Sequence, residues 1–302
     1  MISATDPIQR SFDWTRKSLF SPFDLGKWCT IGFTSFLAAL MGGGSLNFRS
    51  GRPFRGLGSA GSPTSPLEAL GVARLWVLGH PGLVVSLGVL ALAFLMLVSW
   101  LGARGQFMFL DNVVSGRGRV AEPWNRFREH GNRVFLFLLA LQIAGIAVLA
   151  LGLFAGWRIA EPDIADLHFG IQALKGILAA AGIILPLGLV VVLVGQVLRD
   201  FVVPVMYLRG TTVAGGFGVW WNELVPGNGG SFLLFYLLKW LLSLAAATLI
   251  ILGTCFTCCL AGLPYVSSVV FLPVAVFFRA YSLAFMGQCG EAWVLLRDGS
   301  QH

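Results

Sequence analysis

Three stretches of this chain, Leu83 to Gly102, Val134 to Trp157 and Gly176 to Leu198, contain no Asp, Glu, Lys or Arg. A helix needs about 20 apolar residues to cross the roughly 30 Å hydrocarbon core of a bilayer, and each stretch meets that length. Three more apolar runs, Trp28 to Gly44, Phe232 to Gly253 and Tyr265 to Gly287, carry at most one charged residue apiece. Lipid offers the backbone no hydrogen-bond partners, so such runs must satisfy themselves as helices. The expectation is an all-α polytopic membrane protein with about six transmembrane helices and interfacial helices between them. A soluble protein of 302 residues needs no such series of windows, and charged residues make up only 12% of the chain, about half the usual share. The run from Trp28 to Gly44 is the shortest, about 25 Å as a helix, and is the candidate for a re-entrant segment.

The runs are organised in pairs. Pro22-Phe23-Asp24, Pro123-Trp124-Asn125 and Trp220-Trp221-Asn222 recur roughly every hundred residues, each ahead of an apolar run. The second run of each pair ends in Arg104, Arg199 or Arg279, after which apolar residues resume. This predicts one membrane domain over 1–302 with repeats at about 12–115, 116–210 and 211–302. Two runs per repeat make three parallel hairpins, unlike the inverted repeats of many secondary transporters. The loop at 45–66 is rich in Gly, Ser, Pro and Arg and is expected to be flexible. Apolar residues beyond each Arg would leave the hydrocarbon core and need cover, for which the aromatic segments before alternate runs are nearest.

Charge sets the topology. With the N-terminus inside, the inner segments hold 14 Lys or Arg and the outer loops six, while Lys239 lies within the fifth apolar run. Both termini are therefore expected in the cytoplasm. The net charge of +7 is spread between apolar runs, and no basic domain or nucleic-acid motif stands apart, which argues against nucleic acid as a partner. Residues 1 to 26 hold no apolar core followed by a small-residue cleavage site. Five cysteines, an odd number, do not make a secreted disulfide framework.

The candidate site residues are mostly basic or aromatic. Arg104, Arg199 and Arg279 offer planar donor forks suited to lipid phosphates or a partner's carboxylates, and Trp124, Arg126 and Arg128 lie in the most basic connection. The competing reading has each arginine snorkel or pair internally with Asp111, Asp200 or Glu223. Asp24, Asn125 and Asn222 are expected to cap the helices that follow them. Lys239 is expected to snorkel, and Gln142 and Gln196 to join helices by hydrogen bonds. Thr30, Thr34, Ala38 and Gly42, and likewise Ala140 and Ala144, are spaced for close helix packing. Cys255, Cys258 and Cys259 lack a nearby His for a zinc site, and no catalytic constellation stands out, so no metal, cofactor or enzymatic activity is expected.

The stretch Leu19-Phe20-Ser21-Pro22-Phe23-Asp24-Leu25-Gly26-Lys27-Trp28 resembles the N-terminal signature of an uncharacterised family of prokaryotic six-span membrane proteins. That family is distantly similar to the membrane domain fused to some glycerophosphodiester phosphodiesterases. The resemblance implies the prokaryotic cytoplasmic (inner) membrane and no particular activity. No phosphodiesterase domain accompanies it here, so that activity does not carry over. Mitochondrial carriers share three hairpins and a Pro-x-acid-x-x-base pattern like Pro22 to Lys27, but here the pattern precedes a span, and the copies at Pro123 and Trp220 lose it.

These features predict a non-enzymatic integral membrane protein that binds lipids or partner subunits, copies of itself included. The alternative is a transporter or channel for a small solute, with a polar path lined by Gln142, Gln196 and Lys239. A metal or redox role for the three clustered cysteines ranks third.

Overall fold

A computed structural model describes residues 3–41, 79–165, 170–256 and 264–296, and every regular element among them is helical. The loop at 45–66, the segment Leu67 to Leu78, Cys258, Cys259 and the side chain of Cys255 lie outside the described residues. The chain opens with α1 (Asp6–Phe20), whose buried face carries Pro7, Ser11, Thr15 and Ser18 at helical spacing. Ser11 and Thr15 donate their hydroxyls to the carbonyls of Pro7 and Ser11, at 2.5 and 2.7 Å, so these polar side chains can pack dry. Asp24 then caps α2 (Leu25–Leu40), its carboxylate accepting from the Gly26 amide at 2.8 Å.

Next come α3 (Pro81–Ser115), the short α4 (Ala121–Arg126) and α5 (Arg128–Ala165). Helix α6 (Ile171–Val197) continues through Pro186, passes into a π-turn at Leu198–Val202 and runs on as α7 (Val203–Arg209). Gly116 and Gly210 stop α3 and α7 with φ of +63° and +64°, a left-handed conformation that glycine adopts without penalty. Helix α8 (Val213–Val219) ends in a second π-turn at Trp220–Leu224. Then follow α9 (Gly229–Phe256), α10 (Pro264–Val270) and α11 (Leu272–Gly287). Pro273 sits in the first turn of α11, where proline is tolerated, and the helical run breaks at Phe271 just before it.

Four helical stretches are long and apolar enough to cross a membrane: Pro81–Ser115, Arg128–Asp163, Ile171–Arg209 and Gly229–Thr254. Helices α2 and α11, with 16 residues each, are shorter than a crossing requires. At most 11% of an apolar 18-residue window in any long stretch is buried, so these faces belong against lipid. Burial switches on along the same helices. On α3, Leu83 to Leu97 present exposed apolar side chains, whereas Ala103, Phe107, Leu110 and Val113 are buried. The 35 residues of α3 extend for about 52 Å, well beyond a hydrocarbon core of about 30 Å. The surplus turns of α3 and of α6–α7 form a protein core with α11 instead. Phe201, Phe232, Phe235, Tyr281 and Phe285 interlock at its centre, with ring centroids 4.6 to 6.1 Å apart.

Short helices cover this core. Helix α1 packs on α11, α4 on the end of α3, and α8 on the first π-turn and α7. Long-range hydrogen bonds fasten α1: the Trp14 indole donates to the Val113 carbonyl at 3.1 Å and the Tyr281 hydroxyl to the Ala4 carbonyl at 2.9 Å. Helix α2 lies antiparallel to the buried half of α3, so close that a Cβ at Gly102 or Gly105 would fall 2.5 to 2.6 Å from its backbone. Thr34 and Ala38 face this seam as their spacing suggests, and Gly42 lies outside the described residues. In the α5–α6 hairpin the expectation fails: Ala140 and Ala144 are exposed. Close approach there runs through Gly156 and Gly176, where a Cβ would fall within 3 Å of the facing carbonyl oxygen.

Candidate functional site

Asp200 organises the polar groups that the core encloses. The π-turn that interrupts α6 and α7 carries Arg199 and Asp200, and Asp200 is only 7% exposed. Its Oδ1 accepts from Lys239 Nζ of α9 at 2.5 Å and from Ser282 Oγ of α11 at 3.3 Å, while Oδ2 has no partner. Arg279 of α11, also 7% exposed, donates through Nη1 to the Arg199 carbonyl at 2.6 Å and through Nη2 to the Gln106 carbonyl at 3.4 Å. Those acceptors are neutral backbone groups, and Nε of Arg279 is unpartnered. Arg199 makes no ion pair among the described residues.

Arg199, Lys239, Arg279 and Asp200 line a crevice of about 290 Å³, whose remaining walls include Phe109, Phe278, Ser35, Ala38, Ala39 and Ala275. A second crevice of about 190 Å³ shares Arg199, Asp200 and Lys239 and adds Gln196, Tyr236 and Trp240. Three cations face one carboxylate, so the formal charge of the site is +2. Burial strengthens that excess, because a low dielectric screens it less than water would.

The three arginines are not one ring. Arg104 turns elsewhere: its guanidinium lies 4.2 Å from the ring centroid of Trp100 and 4.7 Å from that of Trp124, and it donates to Asn132 Oδ1 at 3.1 Å. Arg126 rests over Phe127 at 5.3 Å, and Arg128 is exposed. The carboxylates named as internal partners are engaged by other groups. Asp111 accepts from the Tyr207 hydroxyl at 2.9 Å, Asp200 from Lys239, and Glu223 from Arg209 at 2.6 and 2.7 Å. The Arg209 hydrogen bonds hold the Glu223 carboxyl below its ordinary range. Lys239 forms an ion pair rather than snorkelling.

Two of the three proposed caps need correction. Asn125 lies inside α4 and Asn222 inside the second π-turn, so neither precedes a helix as Asp24 does. Gln142 joins α5 to α3 by donating to Ser99 Oγ at 3.0 Å. Sequence reasoning missed Gln106, Asn112 and Asn132, which tie α3 to α2 and α5. Their signal was available as isolated amides beside apolar runs, where an unpaired polar group is costly. No group of three or more metal-binding side chains occurs among the described residues.

The fold and its lipid-facing surface define a helical, polytopic membrane protein. The chain belongs to the Family of unknown function (DUF7544), whose profile matches residues 2–270. Neither a curated protein nor a solved structure matches it.

Proposed function

We propose that this protein is a non-enzymatic membrane protein that binds lipid in the crevice between Arg199, Lys239 and Arg279. The observation that carries the reading is the crevice's excess of cations beside walls of Phe, Ala and Ser, on a molecule whose long helices are apolar enough to cross a membrane. Such a site suits an amphiphile with a polar head and an apolar body better than a freely soluble solute. The cyclic order of the covers supports three repeats: α4 of the second lies on the first, α8 of the third on the second, and α1 of the first on the third. In this reading the inner ends of the helices face the cytoplasm of a prokaryotic cell, both termini are cytoplasmic, and the four long stretches cross the inner membrane while α2 and α11 pack against their inner ends. The exposed faces of α3, α5 and α6 are the surfaces for copies of the chain or other subunits.

Native mass spectrometry of protein extracted directly into nanodiscs tests the reading. Bound lipid that survives ejection from the disc supports it, and a bare chain contradicts it. Transport of a small solute is the second reading, favoured by the two crevices sharing Arg199, Asp200 and Lys239. Solute flux into proteoliposomes, lost in Lys239→Met, would put it first.

A further inference from the structure

Two buried side chains in the crevice have unused hydrogen-bonding atoms, Nε of Arg279 and Oδ2 of Asp200. Arg199 stands between the two crevices without an ion pair among the described residues. A buried charge left uncompensated is costly, and a site that keeps such charges is organised for something that arrives. The composition of the site says what that is. Three cations face one carboxylate, and the carboxylate is already held by Lys239 and Ser282. A zwitterionic headgroup brings its own ammonium into a site that is already positive. An acidic headgroup brings only the charge that is missing.

We propose that the crevice selects acidic phospholipids, with Asp200 serving as the internal counterion that the headgroup phosphate replaces. This rests on the lipid-binding reading above and adds to it the ligand class and a mechanism of exchange. Before exchange, Lys239 is held by Asp200. On binding, phosphate oxygens accept from the Arg199 fork and from Lys239 Nζ, and Asp200 retains the Ser282 hydroxyl. Arg is suited to this role because its fork offers two parallel donors to a phosphate. Phe109 and Phe278 flank the start of the acyl chains. Arg279 keeps its backbone acceptors throughout and supplies charge without having to move.

The exchange makes an opposite-sign prediction for two residues of one ion pair. The full-length protein is placed in nanodiscs of phosphatidylcholine alone or of phosphatidylcholine mixed with phosphatidylglycerol, and native mass spectrometry counts retained lipids of each kind. The protein is expected to retain phosphatidylglycerol well beyond its share of the disc. Arg199→Gln and Lys239→Met should each reduce that retention about ten-fold or more, the worth of one charge-assisted hydrogen bond. Asp200→Asn removes the competing carboxylate and should raise it. Arg158→Gln, at a residue that pairs with Glu161 and lines neither crevice, should leave it unchanged. Thermal unfolding of every variant separates loss of binding from loss of fold.

Retention that ignores headgroup charge, or that Asp200→Asn lowers as much as Lys239→Met does, overturns the acidic-lipid assignment and leaves lipid binding standing. No retained lipid in either disc overturns both. Inorganic phosphate and soluble glycerol phosphate are added as competitors. Displacement of phosphatidylglycerol by them at low concentration would identify a soluble phosphate as the ligand and refute the lipid source.

Discussion

Gly105 and Gly88 lie on the same helix and differ in what surrounds them. A methyl group at Gly105 would fall 2.6 Å from the Leu37 carbonyl carbon and Cβ and 2.7 Å from the Ala38 nitrogen, whereas at Gly88 nothing lies within 4 Å. Carbon atoms prefer separations of about 3.5 to 4.0 Å, so Gly105→Ala must push α2 away from α3 by roughly 1 Å. Two of the three nearest atoms are backbone, and no change of rotamer relieves the clash. Overpacking of this kind costs about 1–3 kcal/mol. At Gly88 the methyl meets only lipid, and replacing a flexible residue within a helix is neutral or stabilising by up to about 1 kcal/mol. The two variants should therefore differ by roughly 1–4 kcal/mol, with Gly105→Ala destabilised and Gly88→Ala at or above the parent. Thermal unfolding in detergent, followed by tryptophan fluorescence, measures the difference; 1 kcal/mol corresponds to about 2–4 °C in a chain of this class. Equal shifts for the two variants, or a larger loss at Gly88, would refute the packing of α2 against the buried half of α3.

Asp24→Ala should cost about 1 kcal/mol by removing the cap of α2, whereas Asn125→Ala, within a helix, should change stability by less than about 0.5 kcal/mol; the same melts compare them. The lowered pKa of Glu223 contributes stability that is present above the ordinary carboxylate pKa of about 4.3 and is lost as pH falls through the folded value. Glu223→Gln should accordingly lower the melting temperature slightly at neutral pH and make no difference in strong acid. A melt of the variant that is unchanged at neutral pH would deny the Arg209 pairing any role. Burial pushes the Cys289 thiol up to about 11, so in a variant retaining only this cysteine, iodoacetamide should react slowly at pH 8 and faster as pH rises towards that value. Free-thiol rates at pH 8 would contradict the partly buried position.

The helical class was legible in the charge-free windows, because lipid allows few other solutions. The pause at each Arg was legible too, and Arg104 and Arg199 come shortly after burial begins, at Val98 on α3 and at Gly195 on α6. What the one-dimensional pattern could not supply was partnership. Lys239 and Asp200 are 39 residues apart on different helices, so the sequence reads Lys239 as a snorkelling charge and Asp200 as a partner for an arginine. Arg104 looks equivalent to Arg199 and Arg279 in sequence, yet Trp100, Trp124 and Asn132 draw it away from the crevice. Ala140 and Ala144 had the spacing of a packing face, but the hairpin meets most closely through Gly156 and Gly176, further along α5. The caps at Asn125 and Asn222 failed because a helix had already begun before them.

The central claim is that lipid enters the crevice between α2, the first π-turn and α11. Photo-crosslinking tests it most directly, using a phospholipid with a diazirine near the head of its acyl chain, reconstituted with the full-length protein and mapped by peptide mass spectrometry. The account predicts adducts concentrated at Ser35 to Ala39 and at Ala275 to Phe278, and reduced in Arg199→Gln. Adducts confined to outward faces such as Leu83 to Leu97, with none at the crevice, would contradict it.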